Sequence, residues 1–338
     1  MRKLSSLFGL LLVAALFASA AQAEEACKLG LIADLHVEFG PAGAALMPVT
    51  VSGKDAWMFL NMDSGISGVF PPAVDAFGLQ PQRLRVDART GSHLRKDADL
   101  IKSGRKDLNN YVKFESLQLG PVSLNGFEAI ISEEGPQFLP MFLGRPIIGR
   151  MGGSLFKQFD TELDFAHGAV RIFRANHCAM PPVYWAREFT TVPAIYDVAG
   201  TLTFTINLDG KKIRGAFSTD TGRAVLEERA TKYFGFKPDA PDLEQATLPN
   251  GRRVGVRPMS FSAAGVVVNN TRVQLYARPN TLCNLGHATD GAIAYENCFN
   301  VTPFAIGTDL LKRLRLIIGS ERKEIYITGA EAKDDQTQ

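Results

Sequence analysis

Two short stretches carry residues whose types and spacing could do acid–base chemistry: Asp63-Ser64-Gly65 and Asp220-Thr221-Gly222. Each acid follows a strand-like run, the apolar Ala56 to Leu60 in the first case and Lys212 to Phe217 in the second. Gly65 and Gly222 let the turn pass close to the acid, because glycine pays no Cβ penalty in a tight bend. Two carboxylates brought together cannot both ionise cheaply, so they share one proton. The charged member then acts as a base towards water, and the protonated member acts as an acid towards the oxygen that gains charge. That is amide hydrolysis without a covalent intermediate.

One such triplet beside a glycine is the ordinary composition of a turn. Duplication is what separates these two from ordinary turns. The acids lie 157 positions apart, and their surroundings keep the same offset. Ser52-Gly53 precedes the first acid as Asp209-Gly210 precedes the second, and Phe77-Gly78 follows the first as Phe234-Gly235 follows the second. This is an internal repeat, and it sets the element plan. In the first copy, Leu46 to Val51 and Ala56 to Leu60 read as a hairpin, and Pro71 to Phe77 reads as a short helix stopped at Gly78. In the second copy, Thr201 to Leu208 and Lys212 to Phe217 make the hairpin, and Glu227 to Phe234 makes the helix. Further strands are expected at Val112 to Leu119, Phe127 to Ile131, Val266 to Val268 and Arg272 to Tyr276, and Pro249 to Arg252 reads as a turn.

Two lobes that each offer one aspartate from a strand-turn resemble the aspartic proteases of the pepsin and retropepsin kind. The late part of each lobe carries the resemblance further. Ile147-Ile148-Gly149 leads into Leu155 to Phe159, and Ala305-Ile306-Gly307 leads into Thr308 to Leu314. Final strands follow at Val170 to Ile172 and at Ile325 to Ile327. The similarity covers residues 45–175 and 198–328. It implies a mostly β, two-lobed acid-protease fold, with tandem retropepsin-like barrels and short helices in one chain. It also implies catalytic Asp63 and Asp220, with Ser64, Gly65, Thr221 and Gly222 supporting the turns. Ser64 and Thr221 are expected to bond backbone across the lobe interface, and the substrate to be an extended peptide paired along its backbone in the cleft. The shared proton is the general account of that family; what is specific to this chain is the assignment of Asp63 and Asp220 to the pair.

The chain departs from the family pattern in places. Asn61 and Ser218-Thr219 interrupt the apolar approach to the acids, and Arg223 follows the second motif where a small residue is usual. Gly152-Gly153 adds three residues after Gly149. The stretch where a flap should lie, residues 83–113, is strongly basic, and Tyr111 is its positional candidate for a flap tyrosine. These departures motivate the rival reading, an exported peptide-binding module of the same fold with lapsed catalysis. A structural exported β-protein is the third.

Composition bounds the rest. The chain has 338 residues. Arg2 and Lys3, the apolar run Leu7 to Ala18 and the small-residue site Ala21-Gln22-Ala23 read as a secretory signal peptide over residues 1–23. The expected location is periplasmic or secreted. Without that leader the chain carries 35 bases and 35 acids, which supplies no case for nucleic-acid or membrane binding. The expected organisation is an N-terminal lobe over 24–180, a C-terminal lobe over 181–330 and a flexible tail over 331–338, acting as a monomer. Cys27, Cys178, Cys283 and Cys298 form an even set in an exported chain, which favours disulfides. The second lobe has an extra segment bounded by Cys283 and Cys298, so we expect that pair and, by elimination, Cys27–Cys178. No C-x-x-C occurs, and His36, His93, His167, His177 and His287 are scattered, so no metal or cofactor is expected. There is no G-x-S-x-G, H-E-x-x-H or P-loop.

Overall fold

The structure is a computed structural model that describes residues 29–83, 110–132, 136–175, 182–196, 200–237, 240–247, 253–276 and 302–332. The signal peptide, all four cysteines and both expected disulfides lie outside the described residues. So do most of the basic stretch, the turn at Pro249 to Arg252 and the last six residues of the tail.

Among the described residues the molecule is mostly β with a few short helices. Strands buried along most of their length build the hairpin of each copy. Ala45–Val51 pairs with Lys54–Asn61, and Leu202–Leu208 pairs with Lys211–Phe217, both antiparallel. The two hairpins turn through Ser52-Gly53 and Asp209-Gly210, whose φ values of 49° and 80°, and 47° and 76°, put both residues of each turn in the left-handed region. That is the turn geometry whose twist matches paired strands, and it explains why each second position is glycine. A helix follows each acid turn, at Pro71–Ala76 and at Glu228–Phe234. Val266–Tyr276 is one continuous strand where two had been expected, with Asn270 tolerated at a φ of 55° inside it.

In each half a late strand inserts between the strand before the acid and the strand after it. Arg145–Gly152 lies parallel to Lys54–Asn61 and antiparallel to Gly68–Val69. Phe304–Ile306 lies parallel to Lys211–Phe217 and antiparallel to Ala224–Glu227. The acid turn must therefore cross over the end of the inserted strand.

The halves join through a six-stranded antiparallel sheet to which each contributes three strands. Its order is Leu31–His36, Ala169–Arg174, Phe159–Asp164, Leu314–Gly319, Glu324–Gly329 and Thr190–Tyr196. The central pairing sets Glu162 opposite Ile317. One apolar core runs through both halves, and a smaller cluster of Phe173, Trp185, Ile317 and Tyr326 lies under the segment that links them. Trp185 Nε1 donates to Thr328 Oγ1 at 3.0 Å, which pins that segment to the sheet.

A charged network crosses the same sheet. Glu162, fully buried, accepts from Arg171 Nη1 at 2.7 Å, from Arg315 Nε at 2.8 Å and from the Tyr184 hydroxyl at 2.7 Å. Asp164 adds a bond from Arg171 Nη1 at 3.2 Å. Burial first, and the bond to Glu162 second, push the Tyr184 phenol up to about 12. Because Glu162 and Arg171 come from the first half and Arg315 from the second, the network is an electrostatic clasp between the repeats.

Candidate active site

The acid turns meet where the two halves touch. Gly222 N donates to Ala42 O at 2.7 Å, and Thr308 Oγ1 donates to Gly43 O at 2.6 Å. On the other side, Thr201 Oγ1 donates to Asp63 O at 3.0 Å. Backbones approach so closely that side chains do not fit: a Cβ on Gly222 would sit 2.4 Å from Ala42 O, and one on Gly43 would sit 2.7 Å from the Gly222 Cα. Gly200 faces Gly65 in the corresponding place across the pseudo-symmetric interface. Gly222 is thus a requirement of lobe contact as well as of the turn.

Asp63 and Asp220 are both partly exposed. Ser218 Oγ lies 2.7 Å from Asp63 Oδ2 and 3.3 Å from Asp220 Oδ1. The two carboxylates therefore come within reach of the same hydroxyl. Asn61 Nδ2 donates to Asp220 Oδ2 at 3.4 Å, from the opposite half. Ser218 is 1% exposed and Asn61 is 8% exposed, so both contacts lie in the floor of the site. Ser218 N donates to Ile306 O at 2.9 Å, which fixes the serine against the inserted strand.

A third hydroxyl that crosses the interface, besides those of Thr308 and Thr201, is likewise not one of the two expected from the family. Thr219 Oγ1 donates to Leu60 O at 2.7 Å and accepts from Met62 N at 3.1 Å. Ala45 N donates to Thr219 O at 2.8 Å. Ser64 uses its hydroxyl locally, donating to Ile66 O and accepting from Ile66 N, both at 3.2 Å. Thr221 contributes its carbonyl, which accepts from Thr308 N at 3.0 Å. The reason is register: the residue before Asp220, not the one after, faces the backbone of the partner strand. The first repeat has Met62 at the corresponding place, so this clamp runs one way only. The polar interruptions Asn61, Ser218 and Thr219, which read in sequence as departures, are the groups that hold the acids and join the halves. Their polarity at the end of apolar strands was the available signal.

A second correction concerns the late glycine. Gly152, not Gly149, is the counterpart of Gly307. A Cβ on Gly152 would lie 2.5 Å from the Ile66 carbonyl carbon, and one on Gly307 would lie 2.3 Å from the Arg223 carbonyl carbon. Gly153 N donates to Ser64 O at 2.7 Å, just as Thr308 N donates to Thr221 O. The three extra residues extend the inserted strand to Gly152 before the helical turn Gly153–Gln158 begins. Gly152→Ala is accordingly expected to destabilise the protein by about 1–3 kcal/mol, the usual cost of overpacking when backbone must shift. Urea unfolding reads this, and an unchanged midpoint would remove Gly152 from the crossing.

Arg223 presents its backbone to Gly307, and its Nη1 is buried without a hydrogen-bond partner among the described residues. Tyr111 sits on the strand Asn110–Phe114 and donates to Gln82 Oε1 at 2.7 Å. Among the described residues no group of three or more His, Cys, Asp or Glu could hold a metal ion.

No family model matches the sequence, and no curated protein matches it. Solved structures similar to the chain include basic 7S globulin from soybean, at 12% identity and a TM-score of 0.48, covering 92% of this chain and 100% of that one. An aspartic proteinase from Irpex lacteus is similar at 9% identity and a TM-score of 0.48, covering 90% and 99%. EDGP is similar at 10% identity and a TM-score of 0.48, covering 88% and 94%.

Proposed function

We propose that the protein is an exported aspartic-type endopeptidase that hydrolyses peptide bonds through a water held between Asp63 and Asp220. The observation that carries this reading is the meeting of two repeat-related, partly exposed carboxylates at one buried hydroxyl. In this reading the two acids share a proton, so that one takes a proton from water while the other donates to the substrate carbonyl oxygen. Partial exposure lets water reach the pair. The substrate in this reading is an extended peptide or protein segment in the interlobe cleft, the enzyme is a periplasmic or secreted monomer, and no cofactor takes part.

The purified chain is expected to cleave members of a peptide library at acid to neutral pH. Its rate should follow a bell against pH, because the singly protonated pair exists only between the two apparent ionisations, which belong to the pair. A rate flat across that range would contradict the mechanism. No cleavage at any pH would favour the second reading, an exported peptide-binding module of the same fold with lapsed catalysis. One observation speaks for that reading: the Ser218 hydroxyl already bonds both carboxylates.

A further inference from the structure

Phe138-Leu139-Pro140-Met141-Phe142-Leu143 is an unbroken apolar run in the first half of the chain. Its end forms a hairpin: Met141–Phe142 pairs antiparallel with the start of Arg145–Gly152, and Leu143-Gly144 makes the turn. The hairpin is anchored on its inner side. Phe142 meets the Trp57 ring edge-on at a centroid distance of 6.1 Å, and its carbonyl accepts from Trp57 Nε1 at 3.0 Å. Pro140 O accepts from Ile147 N at 2.7 Å. Other side chains of the run stand in solvent. Phe138, Leu143 and Met141 are 77%, 66% and 62% exposed, the three most exposed large apolar side chains among the described residues.

Leu143 is also out of place in its backbone. Leu143 and Gly144 have φ values of 46° and 75°. The turns at Ser52-Gly53 and Asp209-Gly210 share that geometry but carry a polar residue at the first position. Asparagine, aspartate and glycine suit such a position, and leucine does not. Leu143 thus works against folding twice, by its backbone and by its exposure, in a hairpin that is otherwise held in place. Local strain beside exposed apolar side chains marks a contact surface.

We propose that this hairpin tip inserts into the interfacial region of a lipid bilayer and holds the protein at a membrane surface. Shape, area and charge favour lipid over another protein. Exposure of this size at a hairpin tip describes a projection and not a groove, and a fluid lipid interface buries projecting apolar side chains at the headgroup–acyl boundary without a matching pocket. Two copies of three such side chains, each of about 200 Å² or less and about two-thirds exposed, offer roughly 800 Å². A stable dimer buries about 1,200–2,000 Å². Arg145 is the only charged residue in 136–147 and pairs with Asp55 at 3.4 Å. The even balance of acids and bases supplies no electrostatic pull towards a membrane, and apolar insertion requires none. The tip stands at the far end of Arg145–Gly152 from the acid turn, about 20 Å away along the strand. Insertion therefore leaves the candidate active site open, and the proposal does not depend on the peptidase reading.

Co-sedimentation of the exported protein, its leader removed, with phosphatidylcholine vesicles tests this. The bound fraction is expected to rise with lipid and to hold at about 1 M salt, where charges are screened within about 3 Å. Leu143→Asn is expected to lower the partition coefficient by about 10-fold, the value of burying one such side chain. Its melting point should hold or rise, because asparagine before glycine suits the turn. Phe138→Ser combined with Leu143→Asn is expected to lower partitioning by about 100-fold. No binding by the wild type, binding that salt abolishes, or an unchanged partition coefficient in the folded variants would each overturn the proposal. A wild-type dimer that ignores vesicles and that Leu143→Asn converts to a monomer would overturn it too, because a second copy would then cover the tip.

Discussion

Replacing either Asp63 or Asp220 with asparagine is expected to lower kcat for peptide cleavage by about 10²- to 10⁴-fold, the range that proton transfer by a positioned side chain contributes. Each substitution removes one of the two groups that exchange protons in the proposed reaction. In Asp63→Asn the new amide could still accept the Ser218 hydroxyl, and in Asp220→Asn it could still accept from Asn61, but neither amide could take a proton from water or give one to the substrate oxygen. Both aspartates are partly exposed, and the turns are held as well by Gly222 N donating to Ala42 O and by Thr201 Oγ1 donating to Asp63 O, which neither substitution removes. The thermal midpoint should therefore stay close to that of the wild type, and this separates a chemical loss from a folding loss. The measurement is steady-state cleavage of the best library peptide together with a melting curve. Full activity in either variant, from an active parent, would end the assignment of that aspartate.

Glu162→Leu is expected to be the most damaging single change for stability. Glu162 is fully buried and bonds Arg171, Arg315 and Tyr184 at once. Its loss leaves two guanidinium groups in the interlobe sheet with Asp164 as the acid shared between them and Asp34 as a further partner of Arg171 alone. Breaking a buried pair by removing one partner costs about 3–5 kcal/mol, because the surviving charge stays desolvated. The arginine side chains are 21% and 14% exposed and keep some access to solvent, so the loss should sit near the lower end of that range. Urea unfolding measures it, and a loss under about 1 kcal/mol would show that the clasp does not hold the halves. The phenol of Tyr184 reports the same change. Held up at about 12 by burial and by Glu162, it should titrate closer to its ordinary value in the variant. The group is a neutral acid whose folded form holds its proton longer than the unfolded chain does. Its stabilising contribution is therefore whole below about pH 10 and is lost as pH rises towards about 12.

The repeat, and through it much of the architecture, was legible in the order of residues. The acids, the hairpins before them, the helices after them and the closing strands all sit where periodicity and turn residues placed them. These are local signals: an apolar, β-prone run writes a strand, a left-handed turn demands glycine, and proline opens a helix whatever lies elsewhere in the chain. What depends on two distant segments meeting was visible only in the folded molecule. Register across the lobe contact set Thr219 against the opposite half and left Ser64 to its own turn, although both are hydroxyl residues beside an acid. The crossing of the acid turn over an inserted strand made Gly152, not Gly149, the counterpart of Gly307, and both are glycines in the same run. Ser218 beside two carboxylates and Glu162 beneath two arginines were single polar letters in apolar strands. Their meaning depends on which side chains arrive from the other half of the chain, and burial makes those arrivals count by removing water as an alternative partner.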